Sequence, residues 1–213
     1  MTMRIKILAL LLMFFVVVPA SVASQDAPTV ERVQQSLLGL ISTGRPGHQR
    51  PNPACARAHG GCDARLNAFA TYLVESGARH GVDPLLLSAM AFRESSLNPF
   101  ATGATRSEGG IMQINPCRSD VPPEVRIFIG PCPTSTQDRE RRELRSRLFR
   151  RRCEREIGAC QQPIVDYAAR LLASCISRCG SVASGLTAYN GGGCGESDYA
   201  TRVLRTRSSL DPE

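Results

Sequence analysis

Lysine is almost missing from this 213-residue chain: the one copy is Lys6, so beyond it the positive charge is carried by arginine. Histidine is scarce as well, at positions 48, 59 and 80, and no paired CxxC spacings occur. Structural zinc sites are built from such clusters, so no metal is expected. Aromatics make up 5% of the residues, and Phe149 is the only one inside the most arginine-rich stretch, residues 136–157. Nucleic-acid surfaces interleave cations with stacking rings, so nucleic acid is not an expected partner. The longest apolar run, Ile7 to Val18, has twelve residues. A helix that spans a bilayer needs about twenty. No internal repeat is present.

That short apolar run follows Arg4 and Lys6 and precedes Ser21-Val22-Ala23. A basic start, a brief hydrophobic segment and a small-residue cleavage site read as a secretory signal peptide over residues 1–23. Cleavage would leave 24–213, enough for one domain with a hydrophobic core and without a stable membrane span. No cysteine stands at the cleavage point, so a lipid anchor is not expected. Loss of Arg4 and Lys6 lowers the net charge from +7 to +5. A basic surface favours polyanionic partners.

All nine cysteines (55, 62, 117, 132, 153, 160, 175, 179 and 194) follow the leader. In an exported chain they are expected to form disulfides, and an odd number leaves at least one thiol free or paired between chains. If Cys153 and Cys160 share one helix, they stand about 10 Å apart and must find partners elsewhere. Cys175 and Cys179 are equally poor partners within a regular helix.

Residues 24–62 are rich in Pro, Gly, Ser, His and Arg after a short helix at 28–42, and read as an N-terminal extension or linker closed by a small Cys55–Cys62 loop. The domain proper is expected over 63–213. A helix from Asp63 to His80 shows Leu66, Phe69, Ala70, Leu73 and Val74 at helical spacing and ends at Gly81. Residues 97–116 hold too many glycines and prolines for a long helix and suit a loop or small hairpin. Residues 117–162 read as an insertion: an irregular segment, then a helix over Thr136–Ile157 whose arginines alternate with glutamates at i,i+3 and i,i+4. That pattern marks a solvated face or, alternatively, an anion-binding one. Helices at about 163–178 and 181–189 and a last one in SDYATRVLRT complete a mainly α chain.

The stretch LLLSAMAFRESSLNPF, residues 85–100, poses the chemical question. Asp83 and Pro84 form a strong helix start, an N-cap carboxylate with proline at the first turn. Leu85 to Phe92 are apolar except for Ser88, so the helix is expected in the core. At about 100° per residue, Leu87, Met90 and Ala91 lie within about 60° of Glu94. An ionised carboxylate there is costly unless paired. Apolar surroundings and the helix C-terminus both favour the neutral acid, which is what a general acid needs near neutral pH. The competing reading is a core glutamate satisfied by Arg93 or a buried hydroxyl.

Three motifs follow in order: Glu94-Ser95-x-x-Asn98-Pro99, then Gly110-Ile111-Met112-Gln113-Ile114-Asn115, then Ala188-Tyr189-Asn190-Gly191-Gly192, with Tyr199 and Val203 some ten residues on. Together they resemble the catalytic domain of the soluble lytic transglycosylase family, which has the lysozyme-like fold. The resemblance covers about residues 64–206, apart from the cysteine- and arginine-rich insertion. PIVDYAARLLAS is only a loose match to the corresponding family helix.

The resemblance implies that Glu94 is the sole catalytic acid/base of a peptidoglycan lytic transglycosylase. Ser95 would hold the catalytic loop or nearby substrate. Gly110, Met112, Gln113 and Asn115 would line the saccharide groove, with Gly110 letting the backbone approach a sugar ring. Tyr189 and Asn190 would orient Glu94 and the sugar, and Tyr199 would close the far wall. Read from the residues alone, the glycines also suit a simple turn, Met112 core packing, and Tyr189 a core ring. Glu108, Asp120 and Glu124 read as loop charges, which leaves one carboxylate where most glycosidases use two. The family's reaction supplies the substrate's own 6-hydroxyl as nucleophile, gives a 1,6-anhydro sugar, and needs neither metal nor organic cofactor.

The expected partners are therefore peptidoglycan glycan strands, with anionic wall polymers or an envelope or secretion complex as candidates for the insertion. The expected location is periplasmic or secreted. A hydrolytic muramidase is the alternative within this chemistry. A wall-binding or assembly protein without turnover is the alternative outside it.

Overall fold

The computed structural model describes residues 28–42, 53–55, 57–103, 108–132 and 139–210, with side chains omitted for 139–146. The signal-peptide reading and the start of the 136–157 helix lie outside the described residues. Eight α-helices are present among them: α1 Val30–Ser42, α2 Gly61–His80, α3 Pro84–Ser95, α4 Pro123–Ile129, α5 Arg139–Arg155, α6 Ile157–Cys179, α7 Val182–Tyr189 and α8 Asp198–Ser208. A single 3₁₀ turn covers Pro53–Cys55. Strand content is limited to two isolated bridges among the described residues, Thr102 with Gly109 and Gly109 with Ile114. The chain is mainly α.

Helix α3 forms the hub. Its start follows the expected chemistry: the Asp83 carboxylate accepts the Leu85 N–H at 2.9 Å, and Pro84 takes the first position. Every residue from Pro84 to Ala91 is buried. A helix apolar on all sides needs neighbours all round, and α1, α2 and α8 pack against α3. Helix α8 runs antiparallel and is bonded to both its ends. Arg207 pairs with Asp83 at 2.6 Å, and Tyr199 donates to Glu94 at the same distance. Helix α6 packs on α2 and α7, and its Asp166 accepts from His80 at 3.0 Å.

Four features depart from the sequence reading. Helix α1, assigned to an extension, buries Val33, Leu37 and Leu40 in the same core as α2 and α3, so the packed unit begins before residue 63. Residues 117–132, expected to be irregular, contain α4. Its prolines occupy the N-terminus, Gly130 caps the C-terminus at φ 82°, and Val121, Val125 and Ile129 form a buried i,i+4 stripe. There the proline and glycine mark helix ends rather than its absence. Helix α6 starts at Ile157 and carries Pro163 inside it. Finally, the chain breaks at Glu156, between α5 and α6, and that break brings Cys153 and Cys160 to a Cα separation of 5.2 Å, where they form a disulfide. The 10 Å argument fails because the two cysteines are on different helices.

Disulfides also join Cys55 to Cys62, Cys117 to Cys132 and Cys179 to Cys194, and Cys175 is a free, buried thiol. These bonds indicate a chain that matures in an oxidising compartment. No described helix is long and apolar enough to cross a membrane.

The segment 117–162 is not detached from the domain. Val125, Ile129, Phe149, Cys153 and Cys160 all belong to the main core. A Cβ placed on Gly109 would come within 3.1 Å of Ile129 and 3.3 Å of the Phe149 ring, so α4 and α5 press directly on the back of the 97–116 loop.

Candidate active site

Helix α3 ends at Glu94 and Ser95, the start of the first motif. Ser96 and Leu97 both take left-handed backbone angles, at φ 52° and 61°, a conformation costing non-glycine residues about 1–2 kcal/mol each. Leu97 is fully buried, and Asn98 accepts the Phe100 N–H at 3.0 Å to close the turn. The chain then reverses over the top of α3. Ser95, in the last turn, donates its hydroxyl toward the carbonyls of Ala91 and Ile111, both at 3.0 Å. The glutamate's own neighbour thus ties the Gly-Ile-Met-Gln loop to the helix.

The loop is held from behind by a residue that the sequence reading passed over. Gln161 of α6 is fully buried; its Oε1 accepts the Ile111 N–H at 3.0 Å and its Nε2 donates to the Pro99 carbonyl at 2.9 Å. One amide therefore spans the loop's entry and exit, beside the Cys153–Cys160 disulfide. Gly110 turns at φ 80°, and a Cβ there would meet Ile164 Cδ1 at 2.8 Å. Its smallness serves close packing against α6. It does not face the cleft, so the sugar-contact expectation for Gly110 is corrected. Met112 is likewise fully buried and fills core space instead of lining a groove.

In front of the loop lies an open cleft of about 390 Å³. Glu94, Gln113, Asn115, Tyr189 and Asn190 line it, so all three motifs reach one place. Gln113 has φ 48° and donates to the carbonyls of Gly110 at 2.7 Å and Ala101 at 3.1 Å. Asn115 accepts the Cys117 N–H at 2.8 Å. Asn190 caps α7. Two charged lining residues were not expected there. Glu108 sits in the cleft, its carboxyl occupying the space that a Cβ on Gly103 would need. Arg118 brings a cation. Compared with protein-family models, curated proteins and solved structures, the chain matches none.

The two tyrosines depart from their expected parts. Tyr189 was expected to orient Glu94, but its hydroxyl donates to the Met112 carbonyl at 2.9 Å and braces the loop. Tyr199 was expected on a far wall, but its hydroxyl donates to Oε1 of Glu94 at 2.6 Å. The alternation of a helix and the sequence distance to Glu94 do not distinguish these geometries.

Glu94 is half-buried. Burial raises its pKa, the Tyr199 hydrogen bond pulls it back, and the negative charge of Glu108 raises it again; the balance lies above the ordinary carboxyl value of 4.5. Tyr199 is pushed far above the usual tyrosine range by burial and by the charge of Glu94, so it stays a proton-bearing donor. With Oε1 occupied by that donor, the proton of the neutral acid belongs on Oε2. The arrangement can supply and retrieve one proton at the cleft surface.

Proposed function

We propose that the protein is an exported peptidoglycan lytic transglycosylase of the soluble lytic transglycosylase family, on a lysozyme-like fold. It cuts the β-1,4 bond between N-acetylmuramic acid and N-acetylglucosamine. The observation that carries this reading is Glu94: a half-buried carboxyl on an open cleft, its pKa raised by burial and its Oε1 held by a tyrosine hydroxyl. The convergence of the other motif residues on the same cleft supports it. The four disulfides and the leader read in residues 1–23 support a periplasmic or secreted location. The arginine-rich α5 suits anionic wall polymers.

In the reaction, the Glu94 acid transfers its proton to the glycosidic oxygen as the bond to C1 of the muramic sugar breaks. The resulting carboxylate then takes the proton of that sugar's 6-hydroxyl as O6 bonds to C1. The product is a 1,6-anhydro ring, no water is consumed, and Glu94 ends protonated as it began. Intramolecular attack gains from high effective molarity. Tyr199 stabilises the carboxylate between the two steps, and the Gln161-clamped loop keeps Gln113 beside it.

One observation favours hydrolysis as a second reading. Glu108 places another carboxylate on the cleft, and a carboxylate pair can activate water. Mass spectrometry of digested wall separates the two, since anhydro and reducing ends differ by one water per cut. Transglycosylation predicts anhydro ends with wild type and with Glu108→Gln. Hydrolysis predicts reducing ends and a large loss in Glu108→Gln. A wall-binding protein without turnover would release no fragments at all.

A further inference from the structure

Arg118 is the one cation among the described residues lining the cleft, and its Nε is anchored by two partners. Its Nε lies 3.1 Å from the Tyr167 hydroxyl and 3.3 Å from Asp120 Oδ1. The Tyr167 hydroxyl donates to the same Asp120 oxygen at 2.9 Å. Arg170 closes the cluster, with its Cζ 5.2 Å from the centroid of the Tyr167 ring and its Nη2 donating to the Asp120 carbonyl at 3.3 Å. Arg170 reaches Asp120 only through its main-chain carbonyl, so Arg118 is the guanidinium paired with the Asp120 carboxylate, and it puts one cation on a cleft that also carries Glu94 and Glu108.

The anchoring also fixes orientation. Because Nε faces the α6 side, the edge formed by Nη1 and Nη2 is turned away from that anchor. A planar, pre-oriented guanidinium edge matches a carboxylate in two parallel hydrogen bonds. The sugars of a wall glycan are neutral except at the lactyl ether of muramic acid. That group is itself a carboxylate in peptide-free strands, and in intact wall it carries a stem peptide ending in carboxylates. A polymer of N-acetylglucosamine with the same β-1,4 linkage has neither.

Resting on the glycan-cleaving reading of the cleft, we propose that Arg118 is a carboxylate-recognising residue that makes the site select muramic-acid-bearing strands over neutral N-acetylglucosamine polymers. Tyr167 and Asp120 act as positioning residues for it.

The test is calorimetric binding in a Glu94→Gln background, which leaves the sugar uncut. Three probes are titrated: an alternating tetrasaccharide with free lactyl carboxylates, the same sugar with stem peptides, and chitotetraose. Arg118→Gln is expected to weaken the anionic sugars about tenfold or more, the scale of a charge-assisted hydrogen bond, and to change chitotetraose less than about twofold. Loss on the peptide-free sugar assigns the lactyl group, and loss on the peptide-bearing sugar alone assigns the stem. Arg118→Lys keeps the charge and is expected to recover part of the selectivity; Tyr167→Phe is expected to lose part of it. Equal weakening of all three probes, or none, overturns the proposal, as does a failure to bind any of them. Wall digestion by wild-type protein is scored separately. Cleavage without Arg118-dependent selectivity removes this inference and leaves the enzyme reading standing. Selectivity without cleavage does the reverse.

Discussion

Tyr199 donates its hydroxyl to Oε1 of Glu94 at 2.6 Å, at the opposite end of the α3–α8 pair from the Asp83–Arg207 ion pair. The contact opposes burial: it stabilises the carboxylate that the apolar setting disfavours. Replacing Tyr199 by Phe therefore raises the Glu94 pKa further. Since the neutral acid starts the proposed reaction, the alkaline limb of the activity profile is expected to move to higher pH in Tyr199→Phe, read as clearing of a wall suspension across a pH series. Glu94→Gln is expected to lose about 100-fold or more, the usual contribution of a positioned acid. Unchanged clearing would remove Glu94 from the chemistry.

Stability should carry the same signature. A carboxyl whose folded pKa lies above its unfolded value binds its proton more tightly when folded, so its contribution is complete below the unfolded value of 4.5 and declines as pH rises through the folded one. Glu94→Gln has no proton to lose. The melting temperature of wild type relative to this variant is expected to fall as pH increases from 4.5. Parallel curves would mean that Glu94 titrates alike in both states.

Gln161 gives a prediction remote from the cleft surface. Leucine in its place leaves the Ile111 N–H and the Pro99 carbonyl buried without partners. Each orphaned group costs about 1–3 kcal/mol, so urea denaturation of Gln161→Leu should show a loss of about 3 kcal/mol. Wall clearing should fall with it, because the loop carrying Gln113 loses its rear clamp. A variant with lowered stability but full activity would show that the clamp serves folding alone.

The cysteine pattern is checked by mass mapping under non-reducing conditions. Four linked pairs are expected, Cys55–Cys62, Cys117–Cys132, Cys153–Cys160 and Cys179–Cys194. Cys175 is buried, so alkylation should reach it only after denaturation. Labelling of native protein at Cys153 or Cys160 would contradict the fold around the α5–α6 break.

Much of this was legible in the residues because local rules and tertiary demands agree along α2 and α3. The cap at Asp83-Pro84, the stop at Gly81 and the awkward Glu94 each have a local cause, and the structure repeats them. The motifs of the cleft were legible as a set, but individual placements were not. Met112 and Gly110 lie in an irregular loop, where no periodicity says which side faces inward. Tyr189 and Tyr199 sit on different helices, and their bonding depends on how α7 and α8 are rotated against α3. Gln161 and Arg118 gave no signal, and Glu108 read as a loop charge: a buried glutamine and two loop or helix-flanking charges acquire meaning only once α6 is laid against the loop. The Cys153–Cys160 bond was missed because helix continuity through Glu156 was the working premise.

The Cys179–Cys194 bond brackets α7 and the turn after it. Gly191, Gly192 and Gly193 in that turn are exposed, which makes them an easy target for proteases shed into the same surroundings. A cut there would sever the backbone next to Tyr189 and Asn190, yet the two ends would stay covalently leashed and α8 would remain docked on α3. The disulfide therefore lets the molecule tolerate nicking at this exposed bend, because the backbone cut leaves both sides covalently joined.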